Sequence, residues 1–164
     1  MTNENFYAHI IGIGNLTRMD DGIAIKIIQE LQQRNMPFNI KVSDLGTGGI
    51  DIILALEGWK KGIIIDAIDI PKLKPGEIIE FNVTKNSIPE INGLSSSHGI
   101  DALAALKLAY TLDEYTLPEE IIIIGIQIKT YEGIGTEISK EVLEAIPKVL
   151  TKIEEILGIS IKKI

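Results

Sequence analysis

The chain has 164 residues, no cysteine, and 23 acidic against 16 basic side chains, for a formal charge of −7. Without cysteine there are no disulfides, thiolate nucleophiles or sulfur-held zinc and iron–sulfur centres, so any metal must be held by oxygen or by the two histidines, His9 and His98. The acidic balance argues against a nucleic-acid partner, which needs a basic face. No apolar run approaches the ~18 residues of a membrane span, and the first five residues lack a secretion signal, so we expect a cytoplasmic protein, not inserted in a membrane.

The length suits one domain, 1–164. A first buried strand is expected over 8–13, followed by Gly12-Ile13-Gly14-Asn15-Leu16-Thr17-Arg18-Met19-Asp20-Asp21-Gly22. This stretch fails as a dinucleotide fingerprint because Thr17 stands where the third glycine of G-x-G-x-x-G belongs. Asp20 and Asp21 would also repel a pyrophosphate. The loop suits a cation or a neutral polar ligand, although Asp at a helix start is also a favoured N-cap, and one of the pair is expected to cap the helix in the plainer reading.

The spacing of Ile23, Ile27, Ile28 and Leu31 predicts a helix over 22–34, stopped by Asn35-Met36-Pro37. A second strand is expected over 40–44, then a tight loop Gly46-Thr47-Gly48-Gly49 and a short helix over 50–57. The run 62–66 reads as a central strand ending at Asp66, and 77–83 as an edge strand. A helix over 100–112, a fifth strand over 120–128 and a long closing helix over 139–157, N-capped by Ser139, complete the pattern. Strands alternating with helices imply a mostly parallel sheet covered on both faces, and such sheets take ligands beyond the carboxyl ends of their strands.

Asp21, Asp44, Gly46, Thr47, Gly48, Gly49, Asp66, Asp69, His98 and Gln127 all belong to that edge. One imidazole and several carboxylates without sulfur suit a divalent first-row metal, nickel among them. His9, between apolar neighbours inside a strand, reads as structural. Asp69, before Ile70-Pro71, reads as a turn residue, and Trp59 and Tyr131 read as packing aromatics. Neither a G-x-S-x-G elbow nor an H-E-x-x-H helix is present.

Six pieces occur in order: Gly12-Ile13-Gly14-Asn15 with Asp20-Asp21-Gly22, Asp44-Leu45-Gly46-Thr47, Ile65-Asp66-Ala67, Lys74-Pro75-Gly76-Glu77-Ile78, Ser97-His98 and Gly125-Ile126-Gln127. The ordered set resembles the hydrogenase maturation endopeptidases, an aspartyl-type peptidase family that trims the C-terminal extension from the large-subunit precursor of nickel–iron hydrogenases. The resemblance implies a three-layer α/β/α sandwich with a mostly parallel sheet of about five strands, acting as a monomer. It makes Asp21, Asp66 and His98 the catalytic and metal-contacting residues, with Gly14, Asn15, Asp20, Gly46, Thr47, Gly48 and Gln127 in the supporting loops. It also implies that the nickel is supplied by the substrate and is not a resident cofactor. Thr17-Arg18-Met19 is more polar than the family's usual stretch, and Ile128 replaces a proline often found after the glutamine. The rival expectations are a nickel chaperone or scaffold without proteolysis, and a nucleotide-binding domain, which the acidic loop disfavours.

Overall fold

The computed structural model describes residues 6–89, 102–129 and 134–163. In its first half these form β1 (Ala8–Ile13), a 3-10 turn (Met19–Gly22), α1 (Ile23–Gln32), β2 (Arg34–Asn35), β3 (Ile40–Asp44), α2 (Asp51–Leu56) and β4 (Lys61–Ile68). The second half adds β5 (Ile78–Val83), α3 (Ala102–Leu112), β6 (Glu120–Gln127), α4 (Lys140–Leu143), α5 (Ala145–Leu157) and β7 (Lys162–Lys163).

Isoleucine runs without polar alternation can be strands only if both faces are covered, because every side chain then points into a core. Ile63-Ile64-Ile65 and Ile121-Ile122-Ile123-Ile124 meet that condition in β4 and β6, which pair in parallel, Ile63 with Ile122 and Ile65 with Ile124. The five-stranded sheet has the order β3-β1-β4-β6-β5. All neighbours are parallel except β5, which runs antiparallel along β6 as an edge strand.

Alternation along the strands sends side chains into two cores. Ile10, Ile63, Ile65, Ile122 and Ile124 pack with α1 and α5 on one face. Ile11, Ile13, Ile64, Ile68 and Ile123 pack with α2 and α3 on the other. The result is the expected three-layer sandwich with β4 at its centre. Each fully buried isoleucine is worth about 1.5–3 kcal/mol of burial, so these two layers dominate the stability.

Besides shifts of one residue at several element ends, some boundaries differ from the sequence expectation for identifiable reasons. Helix α1 stops at Gln32, short of Arg34, because Arg34 and Asn35 pair antiparallel with Lys163 and Lys162 in a small second sheet. Strand β4 continues past Asp66 to Ile68, since β6 runs alongside it as far as Gln127. The fifth strand ends at Gln127, one residue early. The closing helix is broken at Glu144 into α4 and α5. Pro147, the third residue of α5, has no N–H to give to the Leu143 carbonyl, and its ring crowds that carbonyl. Among the described residues no helix is long and apolar enough to cross a membrane.

Candidate active site

The carboxyl edge of the sheet carries two loops side by side. Leu45 N–H bonds the Gly12 carbonyl at 3.0 Å and Gly14 N–H bonds the Gly46 carbonyl at 2.7 Å, which zips the loop after β1 to the loop after β3. Gly14 has no room for a side chain, because a Cβ there would strike the Asp21 backbone carbonyl. That carbonyl also accepts the Asn15 N–H at 3.3 Å. The 3-10 turn is thus folded back onto the end of β1, and it also packs against β4.

This folding sets the turn that carries Asp21 against β4, the strand that carries Asp66. Asp66 pairs with Ile13, the residue before Gly14, on one side and with Gly125 on the other. Asp21 and Asp66 are both buried, at 2% and 1% exposure. By strand alternation Asp66 shares the face of Ile64 and Ile68, which α2 and α3 cover. Burying a carboxylate costs free energy unless it is paired, hydrogen-bonded or bound to a metal. His98, the third expected contact, lies outside the described residues, as does Tyr131. Among the described residues no group of three histidine, cysteine or acidic side chains could hold a metal.

Asp20 does something the sequence did not announce. Neither it nor Asp21 caps α1, whose N-cap is Gly22 with no side-chain capping bond. Fully buried, Asp20 instead reaches across the edge to the segment that follows β6. Its Oδ1 accepts the Ser139 N–H at 2.6 Å, while Oδ2 accepts the Lys129 N–H at 2.8 Å and the Ser139 hydroxyl at 2.9 Å. Ser139 occupies the expected N-cap position of the closing helix, but its hydroxyl makes no cap bond and goes to Asp20. Met19, beside Asp20, has φ +54°, a left-handed conformation that costs a residue with a side chain about 1–2 kcal/mol. It is held there by Met19 N–H to the Gly135 carbonyl at 2.9 Å and Gly135 N–H to the Thr17 carbonyl at 2.8 Å.

The other supporting residues build turns. Asn15 Oδ1 accepts both the N–H and the hydroxyl of Thr17, at 2.9 and 2.6 Å. Asp44 Oδ1 accepts the Gly46 N–H at 2.7 Å. Gly46, Gly48 and Gly49 have φ of +55°, +76° and +78°, so the loop after β3 turns on residues free of the left-handed penalty. Thr47 is exposed at its tip. Gln127 is buried and braces the exit of β4: its Oε1 accepts the Ile70 N–H at 2.7 Å, and its Nε2 donates to Asp69 Oδ1 at 3.1 Å and the Ile128 carbonyl at 3.0 Å.

His9 is structural, as its apolar setting suggested. Its Nδ1 donates to the Ala55 carbonyl at 2.6 Å, so the neutral ring leaves Nε2 to accept from the Ser43 hydroxyl at 2.8 Å. Burial holds its pKa below the ordinary histidine value, partly countered by the bond to Ala55 and reinforced by Lys41. Trp59 packs on the His9 ring and edge-on against Phe6, with centroids 5.0 Å apart in each case.

Lys129 was not anticipated in this role, because it acts through a backbone N–H that no side-chain pattern marks. Ser139 carried a signal, but for a different task.

The hydrogenase maturation protease family (HycI) matches residues 25–156 of the chain. A protein of Methanocaldococcus jannaschii named as a candidate hydrogenase maturation protease is 36% identical over 159 residues, covering 94% of this chain and 96% of its own length. The nickel–iron hydrogenase maturation protease HybD of Thermococcus kodakarensis superposes with a TM-score of 0.73 at 30% identity, covering 92% of this chain and 99% of that one. The hydrogenase maturating endopeptidase HybD of E. coli has the same fold at a TM-score of 0.73 and 22% identity, covering 97% of each chain.

Proposed function

Since the chain belongs to the hydrogenase maturation protease family, and so to the endopeptidases of hydrogenase assembly, we propose that it cuts the C-terminal extension from a nickel–iron hydrogenase large-subunit precursor once nickel has been inserted. Asp21, Asp66 and His98 grip the nickel carried by that substrate, and the enzyme works as a cytoplasmic monomer. The observation that carries this reading is the stacking of the Asp21 turn on Gly14, one residue past the Ile13 that pairs with Asp66. The turn that carries Asp21 thereby lies against β4, the strand that carries Asp66, at the edge where such sheets take ligands.

Two carboxylates and one imidazole form an incomplete shell for nickel, with positions left for ligands from the precursor. Such a site holds the ion firmly only when the substrate brings its own donors, which makes docking conditional on metal loading. Loop 44–49, bonded to Gly12 and Gly14, forms the neighbouring wall of the same edge.

Processing of purified precursor tests the reading. Asp21→Asn, Asp66→Asn and His98→Ala should each abolish the shortened product while leaving the protein folded, and precursor without nickel should stay uncut by the unaltered enzyme. Full activity in any variant removes that residue from the site, and equal cleavage of nickel-free precursor removes nickel recognition.

A further inference from the structure

Resting on that reading of Asp21, we infer that Asp20 is a positioning residue: its carboxylate locks the Met19–Gly22 turn to the exit of β6 and so fixes where Asp21 is held. Three observations converge on it. Among the described residues the carboxylate of Asp20 accepts from the backbone N–H groups of Lys129 and Ser139 and from the Ser139 hydroxyl. The turn it holds contains a left-handed non-glycine residue, Met19, itself bonded to Gly135 in the same segment. Conformations of that kind persist only where the surroundings over-determine them. Finally, Asp21 follows directly, and its carbonyl is pressed against Gly14.

The donor set explains why position 20 carries an acid and not an amide. An ionised carboxylate is an acceptor at both oxygens, whereas asparagine offers one acceptor and one donor. In either orientation the amide introduced by Asp20→Asn would turn its NH₂ towards the N–H of Ser139 or that of Lys129, and only the Ser139 hydroxyl can turn to accept. One buried backbone donor is then left opposed to another. With the lock broken, Met19 is free to leave its left-handed conformation and the turn carrying Asp21 relaxes with it. The chemistry then suffers through geometry, since a displacement of about 1 Å can cost roughly 100-fold in rate.

Cleavage of nickel-loaded large-subunit precursor by the full-length chain tests this, at a temperature well below the melting points of all variants. Asp20→Asn should lower kcat by roughly 100-fold, with KM raised to the extent that the displaced Asp21 also docks the substrate's metal. Ser139→Ala, which removes the hydroxyl bond, should lower kcat by about threefold to tenfold. Asp21→Glu keeps the charge but moves it, and gives the partner variant for a cycle. If Asp20 acts through Asp21, the double variant loses clearly less than the product of the single losses, as expected of groups that act as a unit. A melting-point drop with unchanged kcat in Asp20→Asn, or losses that simply multiply, makes Asp20 merely structural and overturns the inference. Should Asp20→Asn fail to fold, Ser139→Ala decides alone, and an unaltered kcat there is equally fatal. If instead Asp21→Asn itself cleaves normally, it is the underlying site assignment that fails.

Discussion

The two loops bordering the Asp21–Asp66 edge solve the same problem in opposite ways. The loop after β3 turns locally, on three left-handed glycines and one Asp44–Gly46 bond between residues two apart. The loop after β1 has no left-handed glycine and is shaped from a distance, by Asp20 bonding to Ser139 and Lys129 and by Met19 bonding to Gly135. A local turn tolerates change so long as its dihedrals are kept. A remotely tied turn holds its residues in one position relative to the rest of the fold, which is what a metal-contacting acid needs.

The sharpest way to break this contrast is Gly14→Ala. The added methyl would strike the Asp21 carbonyl, and backbone cannot swing aside as a side chain can. We expect a loss of about 1–3 kcal/mol in urea unfolding, in the range of overpacked sites. Precursor cleavage should fall by roughly 100-fold or more, beyond what the stability loss explains. Comparable cleavage to the parent would show that the turn does not rest on Gly14.

A milder pair sharpens it. Gly49→Ala meets open space and pays only for φ +78°, about 1 kcal/mol, with cleavage nearly unaltered. Gly48→Ala also meets Ile13 at 3.1 Å and Ile52 at 3.2 Å, so its urea midpoint should fall further than that of Gly49→Ala. If Gly49→Ala were as damaging to cleavage as Gly14→Ala, the two loops would not differ in kind.

The smallest effect lies away from the edge, at His9. Its folded pKa is depressed, chiefly by burial. Below about pH 6.5 the unfolded chain takes up a proton that the folded chain refuses, so this contribution to stability is complete above that pH and declines as the solution is acidified towards the depressed value. Between about pH 7.5 and about pH 5.5 the urea midpoint should therefore fall more in the parent than in His9→Asn. An identical fall in both would show that His9 contributes nothing to the pH dependence.

Much of the scaffold was readable because its signals are local. Isoleucine runs announced β4 and β6, the 3.6-residue spacing announced α1, and strand–helix alternation alone placed Asp21 and Asp66 on the same edge. Pairings between segments far apart were not readable. Arg34 and Asn35 looked like the end of a helix because their partners, Lys162 and Lys163, lie at the other end of the chain. Asp20 looked like a cap because Asp before a helix usually is one, and nothing near it in sequence points to Ser139. The break at Glu144 did have a local cause in Pro147, which the expectation of one continuous helix over 139–157 passed over.

The tie between Asp20 and Ser139 also sets an order of events during synthesis. The two residues are 119 positions apart, a stretch that a ribosome takes roughly ten seconds to make. A nascent chain that has already delivered both acids of the candidate site still lacks the anchor that shapes the turn carrying one of them. On the proposed site, proteolytic competence therefore arrives late, with the closing helix, and an emerging or truncated polypeptide that stops short of it carries Asp21 and Asp66 without the anchor that holds the turn.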